Sequence, residues 1–376
     1  MEHQQKNPKS EASGASGLLV VNKPLGLTSY DVVRWAKKIL HTRKIGHAGT
    51  LDPLASGVLV LGVERATKLM QYIQAYPKVY EAEVTFHATS ATDDAEGPLE
   101  PNPCDPFTKD DLRAALQKFE ASFEQLPPAF SAKKIKGKRA HEMARAGERP
   151  LVKPARVTGY QFTVDDVIID ADGKIQRAQV TCCVGSGFYV RSMARDVGAA
   201  LGGGAYLTAL KRTRIGPFTL EQAAEIKLLD APADGKIAAP ESSDESPQQT
   251  NEVDSANSGE TPGTLKESAK SDGPPEDRPI FDLDIDRPAL QPASMALVGF
   301  PWVSVSEQEA TDLFHGKKVL LEKERWQQSW NDPVGRFDLG KRLGVACTPD
   351  GPICLAARQS NNPQLFKIEQ NLRFMN

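Results

Sequence analysis

Among the carboxylates of this chain, Asp52 has the most informative surroundings: the run Gly46-His47-Ala48-Gly49-Thr50-Leu51-Asp52-Pro53-Leu54-Ala55-Ser56-Gly57-Val58-Leu59. Gly46 and Gly49 open backbone angles closed to other residues, and Pro53 biases Asp52 towards an extended conformation. The apolar residues Val58, Leu59, Val60 and Leu61 anchor the far end of the loop. A carboxylate held this way can attack as a nucleophile or remove a proton as a general base. An aspartate before proline is also an ordinary turn residue that bonds its own backbone, so the loop alone leaves both readings open.

The neighbouring segments read as elements able to hold that loop. Residues 18–23 form an apolar strand, turned by Pro24-Leu25-Gly26 into a helix that opens on the capping box Thr28-Ser29-Tyr30-Asp31. Val32, Val33, Ala36, Ile39 and Leu40 recur at helical spacing, with Arg34, Lys37 and Lys38 on the polar side. Residues 78–87 alternate strictly, placing Tyr80, Ala82, Val84 and Phe86 on one face of a strand. Residues 110–119 read as a helix, and 164–170 and 178–184 as strands joined by the Asp172-Gly173 turn. Met193, Val197, Ala200 and Leu201 make a helical stripe that stops at Gly202. Strands and helices without βαβ alternation predict an α+β fold around a mixed, largely antiparallel sheet.

The Asp52 run, with Lys23-Pro24 before it and Arg65-Ala66-Thr67-Lys68 after it, resembles the catalytic motif of the TruB family of pseudouridine synthases. Lys78-Val79-Tyr80-Glu81-Ala82 resembles the family's tyrosine motif, and Gly187-Phe188-Tyr189-Val190-Arg191-Ser192 the segment that supplies its arginine. Leu210, within Leu207-Thr208-Ala209-Leu210-Lys211-Arg212, falls on the family's pocket leucine. The resemblance implies the pseudouridine synthase fold and an isomerase acting on the T-loop uridine of tRNA, position 55. Such an enzyme flips the base, breaks its bond from C1′ to N1 and rejoins C1′ to C5. It needs no cofactor, metal, guide RNA or obligatory protein partner.

Residue by residue, the resemblance makes Asp52 the essential catalyst and Arg191 the planar fork that orients it. It makes Tyr80 a stacking surface for uracil that helps remove the C5 proton. His47 takes the place vacated by the flipped base, Tyr189 and Leu210 line the uracil pocket, and Lys23 braces the site or touches phosphate. By pattern alone, Tyr80, Tyr189 and Leu210 default to packing, and an arginine at a helix start gains nothing from the helix dipole.

The five cysteines, Cys104, Cys182, Cys183, Cys347 and Cys354, are odd in number and lack a CxxC, which supports neither a disulfide framework nor a zinc site. The net charge of −3 is unevenly spread: residues 231–278 carry −7, leaving +4 for the rest. Residues 133–156 carry +7 and are the expected phosphate contact for a tRNA T stem-loop. Segment 231–278 is rich in Ser, Pro, Gly, Asp and Glu and is expected to be a disordered acidic linker. The expected organisation is a disordered tail over 1–17, a catalytic domain over 18–230, that linker, and an RNA-binding region over 279–376.

In the last region, Ser306-Glu307-Gln308-Glu309 is a capping box with Val305 and Ala310 at staple positions, and Thr348-Pro349-Asp350-Gly351 turns a hairpin. That order resembles a small, β-rich PUA-type domain. No apolar run is long enough to span a bilayer, and 1–17 lacks the apolar core of a signal peptide, so the expected location is the cytoplasm. Two other readings stand beside this one: a guide-RNA-dependent synthase of the dyskerin type, and an RNA-folding factor without catalysis.

Overall fold

The computed structural model describes residues 16–130, 134–135, 138–139, 152–226, 290–291, 302–315, 317–322, 325–327, 343–348, 351–359 and 362–371. The acidic segment, almost all of the expected tail and most of the basic stretch 133–156 lie outside them. In chain order the first elements are β1 (Gly17–Lys23), α1 (Ser29–Ile39), β2 (Ile45–His47), β3 (Ala55–Val63), α2 (Met70–Ala75), β4 (Lys78–Phe86), β5 (Ala88–Ser90) and β6 (Leu99–Pro101). There follow α3 (Lys109–Gln117), β7 (Ser122–Gln125), β8 (Lys134–Ile135), β9 (Lys138–Arg139), β10 (Ala155–Ile169) and β11 (Ile175–Val184). Then come α4 (Val190–Ala200), β12 (Ala205–Ile215), β13 (Phe218–Thr219) and β14 (Ala224–Glu225).

These strands build a ten-stranded sheet in the order β14-β1-β3-β12-β4-β11-β10-β7, with β13 on β12 and β2 on β3. The pairs β1/β14 and β3/β12 are parallel, and the others in the sheet are antiparallel. This is the α+β architecture with a mixed, largely antiparallel sheet that the pattern predicts. Alternation on β4 buries Lys78, Tyr80, Ala82, Val84 and Phe86. Thr28 caps α1 through a reciprocal bond with Asp31, so the first helix starts where its capping box says. The expected short strands over 164–170 and 178–184 are longer, because β10 carries register breaks at Gly159/Gln161 and Val164/Asp166 that interrupt its two-residue period.

The C-terminal region contains β15 (Trp302–Ser304), α5 (Glu307–Phe314), β16 (Val319–Leu320), β17 (Trp326–Gln327), β18 (Leu343–Thr348), β19 (Gly351–Gln359) and β20 (Asn362–Asn371). They form a sheet in the order β16-β20-β19-β18-β15-β17. The capping box at Ser306 and Glu309 opens α5, and β18 and β19 form the expected hairpin. Val303, Val305, Ala310, Leu313, Val319, Leu321 and Ala346 make its core. Val345, next to Ala346 and so on the opposite face of β18, joins Leu18, Val20, Val58 and Val60 in the core of the large sheet. Both cores lie in one compact unit.

The chain leaves and re-enters this unit at one place. Ala224 pairs with Val21 and Gln291 with Leu18, so described residues on either side of the acidic segment both dock on β1. Among the described residues, no helix is long and apolar enough to cross a membrane.

Candidate active site

The Asp52 loop connects β2 to β3 and is pinned at each step. Ala48 N–H donates to the Val60 carbonyl at 2.9 Å, and Gly26 N–H donates to the Pro53 carbonyl at 2.9 Å. Between them, the buried Ser29 hydroxyl accepts from Leu51 N–H at 2.7 Å and donates to the Leu51 carbonyl at 3.0 Å. Gly49 has φ +108°, a conformation that disfavours any side chain, whereas Gly46 is not at positive φ and does not use that freedom. The second glycine with such a demand is Gly57, at φ +106°, where a Cβ would lie 2.2 Å from the Arg212 carbonyl oxygen. Asp52 therefore sits on a backbone with little freedom, with its side chain 39% exposed.

Its partner comes from the first turn of α4. Arg191 Nη2 lies 2.9 Å from Asp52 Oδ2, while Nη1 lies 3.2 Å from Oδ2 of Asp94. The same guanidinium donates to the carbonyls of Thr92 at 3.0 Å and Phe130 at 3.1 Å. Arg191 and Asp94 are both buried. The turn carrying Arg191 is itself gripped by buried Gln125, which donates to the Tyr189 carbonyl at 3.0 Å and accepts from its N–H at 2.8 Å.

The loop, α4 and β4 enclose a cleft of about 340 Å³, within the usual range for small-ligand sites. Of the residues singled out in the sequence, His47, Asp52, Tyr80, Tyr189, Arg191 and Leu210 line it. Lys23 does not. It is fully buried, and its ammonium donates to the carbonyls of Leu27 at 2.7 Å and Pro24 at 2.9 Å, which leaves it a brace behind the loop and not a phosphate contact.

Positive charge is concentrated on the wall of the cleft that Lys78 and Arg212 line. Arg212, 1% exposed, donates to the carbonyls of Val58 at 2.8 Å and Gly49 at 3.1 Å, and its Nη1 is 3.5 Å from the Tyr80 hydroxyl. Lys78 donates to the carbonyl of Tyr76 at 2.7 Å and to that of Gln74. Burial, aided by the Arg212 charge, brings Lys78 down to about 7. Burial lowers Lys23 to about 8 against the opposing pull of Asp52. His47 is also lowered, first by burial and then by Arg212, so its ring is neutral at pH 7.

Asp94, Arg212, Ser29 and Gln125 belong to this arrangement and are not singled out in the sequence. Arg212 had a usable signal, since it lies two residues beyond Leu210 on β12 and so shares its face. Asp94, contributed by the segment between β5 and β6, is distant in sequence from both partners and had none.

A model of the TruB family pseudouridylate synthase N-terminal domain matches residues 37–190. A tRNA pseudouridine synthase B of Corynebacterium diphtheriae is 42% identical over 345 residues, covering 89% of this chain and 97% of the relative. Another, of Thermobifida fusca, is 46% identical over 227 residues, covering 58% of this chain and 75% of the relative. Among solved structures, the chain resembles a Cbf5-Nop10-Gar1 complex with TM-score 0.58 at 23% identity, over 96% of this chain and 85% of that one. It also resembles an H/ACA RNP bound to a substrate RNA containing 2′-deoxyuridine, with TM-score 0.57 at 20% identity, over 96% of this chain and 86% of that one. At those identities the two structures bear on the fold alone.

Proposed function

This chain belongs to the TruB family of pseudouridylate synthases, and from that premise we propose that it is a stand-alone cytoplasmic tRNA pseudouridine synthase converting the T-loop uridine at position 55. The observation that carries the reading is the Asp52–Arg191 pair, 2.9 Å apart, with Asp52 partly exposed in a cleft that Tyr80 also lines. The relatives named as tRNA pseudouridine synthase B support the substrate. The basic residues of 133–156 and a PUA-like C-terminal region over 279–376 supply further contact to the tRNA.

The target uridine leaves its stack, at a cost of about a few kcal/mol, and enters the cleft. Neutral His47 offers a flat surface to the gap it leaves. Tyr80 stacks on the uracil, with Tyr189 and Leu210 completing the pocket. The Asp52 carboxylate starts the reaction, by attack as nucleophile or by taking a sugar proton. Arg191 fixes the carboxylate's direction. The C1′–N1 bond breaks, the uracil turns, C1′ bonds to C5 as Asp52 leaves C1′ or returns the sugar proton, and the C5 proton leaves as N1 gains one. Atoms balance without a redox partner.

Asp52→Asn keeps the side chain's shape and removes its charge. The variant is expected to bind an unmodified tRNA transcript and to form no pseudouridine at position 55, read by mapping the modified base. Wild-type protein incubated alone with the same transcript is expected to modify it, as a guide-dependent enzyme would not. Normal turnover by the variant would reject Asp52 as the catalyst.

A further inference from the structure

Arg212 has an environment that orientation of Asp52 does not explain. It is a fully buried cation with no carboxylate within ion-pair distance among the described residues, whereas Arg191 is shared by two. Burying a guanidinium without a counter-charge is costly, and an apolar side chain of similar size would avoid that cost. Three of its five N–H groups face Val58, Gly49 and the Tyr80 hydroxyl, the last at a long 3.5 Å. The remaining two belong to a side chain that lines the cleft and makes no ion pair among the described residues. Asp52, Asp94 and Arg191 together carry −1, so the cleft's surplus positive charge lies on the Arg212 side.

The proposed reaction creates one anion that needs such a charge. When C1′–N1 breaks, its electron pair stays with the base, as a uracil anion delocalised over N1 and the ring carbonyl oxygens. C1′ is satisfied either by an Asp52 oxygen or by loss of the neighbouring sugar proton to Asp52. Resting on the reading above, we propose that Arg212 is a catalytic residue that stabilises the departing uracil anion through its free N–H groups. The anion then bonds from C5 to C1′ as the Asp52 oxygen leaves C1′, or as Asp52 returns the proton to the sugar, and the C5 proton is lost as N1 is protonated. Fixed donors aimed where charge develops, in a site shielded from water, are among the strongest contributions a protein makes to a rate.

The test compares leaving groups. Full-length wild type, Arg212→Gln and Arg212→Lys are given T-arm RNA carrying uridine or 5-fluorouridine at the target position, under single turnover. The readout is loss of the N1-linked nucleoside, because fluorine at C5 blocks the last proton step. Fluorine makes the departing base a weaker base that needs less help. Arg212→Gln is expected to lose roughly 100-fold on uridine and at least about tenfold less on 5-fluorouridine, with RNA affinity unchanged.

Arg212→Lys is expected to fall between wild type and the glutamine variant on uridine and to show the same narrowing. It carries the test if the glutamine variant does not fold. Equal losses on both bases would overturn the proposal and leave Arg212 a brace for the loop. Failure of wild type to rearrange uridine would instead reject the function from which the proposal starts.

Discussion

Arg191 divides one planar cation among four acceptors, and its consequences at the residue scale follow from that geometry. Nη2 serves Asp52 and the Phe130 carbonyl, while Nη1 serves Asp94 and the Thr92 carbonyl. An ammonium at the end of a lysine is a single point and cannot span both carboxylates in these directions. Arg191→Lys therefore keeps a positive charge near Asp94 and loses control of the Asp52 oxygen. A charge-assisted hydrogen bond is worth about 1.5–3 kcal/mol, so kcat is expected to fall roughly ten- to hundredfold, with KM for tRNA within about twofold. Single-turnover rates at saturating tRNA check this. A raised KM at unchanged kcat would assign Arg191 to binding. Asp52, Tyr80 and Arg191 were legible because each sits in a local motif. Asp94 was not, because only folding brings its segment behind α4.

At the scale of elements, the parallel pair β3/β12 brings the loop and the buried cation together, with Gly57 opposite Arg212. A Cβ at Gly57 would meet the Arg212 carbonyl oxygen at 2.2 Å and its nitrogen at 2.8 Å, both backbone atoms that cannot swing aside. Gly57→Ala adds to that collision the strain of φ +106°. It is expected to destabilise the protein by about 3 kcal/mol or more, lowering the melting temperature by roughly 6–12 °C, and to impair activity as Arg212 is displaced. Gly26→Ala is the control, because it has positive φ but nothing within 4 Å of the added Cβ, and it is expected to cost only about 1 kcal/mol. Equal melting temperatures for the two variants would refute the steric account. Elements with clean periodicity, such as α1 and β4, could be read from residue type alone. The bulged β10 and the start of α4 could not: bulges erase the period of two, and the first turn of α4 buries Arg191 and Ser192 in place of apolar residues.

At the scale of the whole molecule, the described residues on either side of the acidic segment come together, since Ala224 and Gln291 both dock on β1, against Val21 and Leu18. These positions are three residues apart on one strand, roughly 10 Å, so the length of the connection has no part in spacing the two sheets. Removing residues 231–278 shortens the chain between the docked ends about fourfold. For a segment whose composition predicts no core of its own, two halvings of the loop reduce its closure entropy by about 1 kcal/mol, and the deletion is expected to raise the melting temperature by roughly 2–4 °C. It also changes the net charge from −3 to +4. At physiological salt the screening length is about 8 Å, and a passive segment leaves tRNA affinity within about threefold of wild type. At about 0.01 M salt that length grows to about 30 Å, and the deletion is expected to bind tRNA more tightly, because a chain of net charge +4 no longer repels the phosphate backbone as one of −3 does. Titrations at both salt concentrations separate the alternatives: strong tightening already at physiological salt would make the segment a competitor that occupies the RNA surface, and a lowered melting temperature would mean that it contributes packing to the fold.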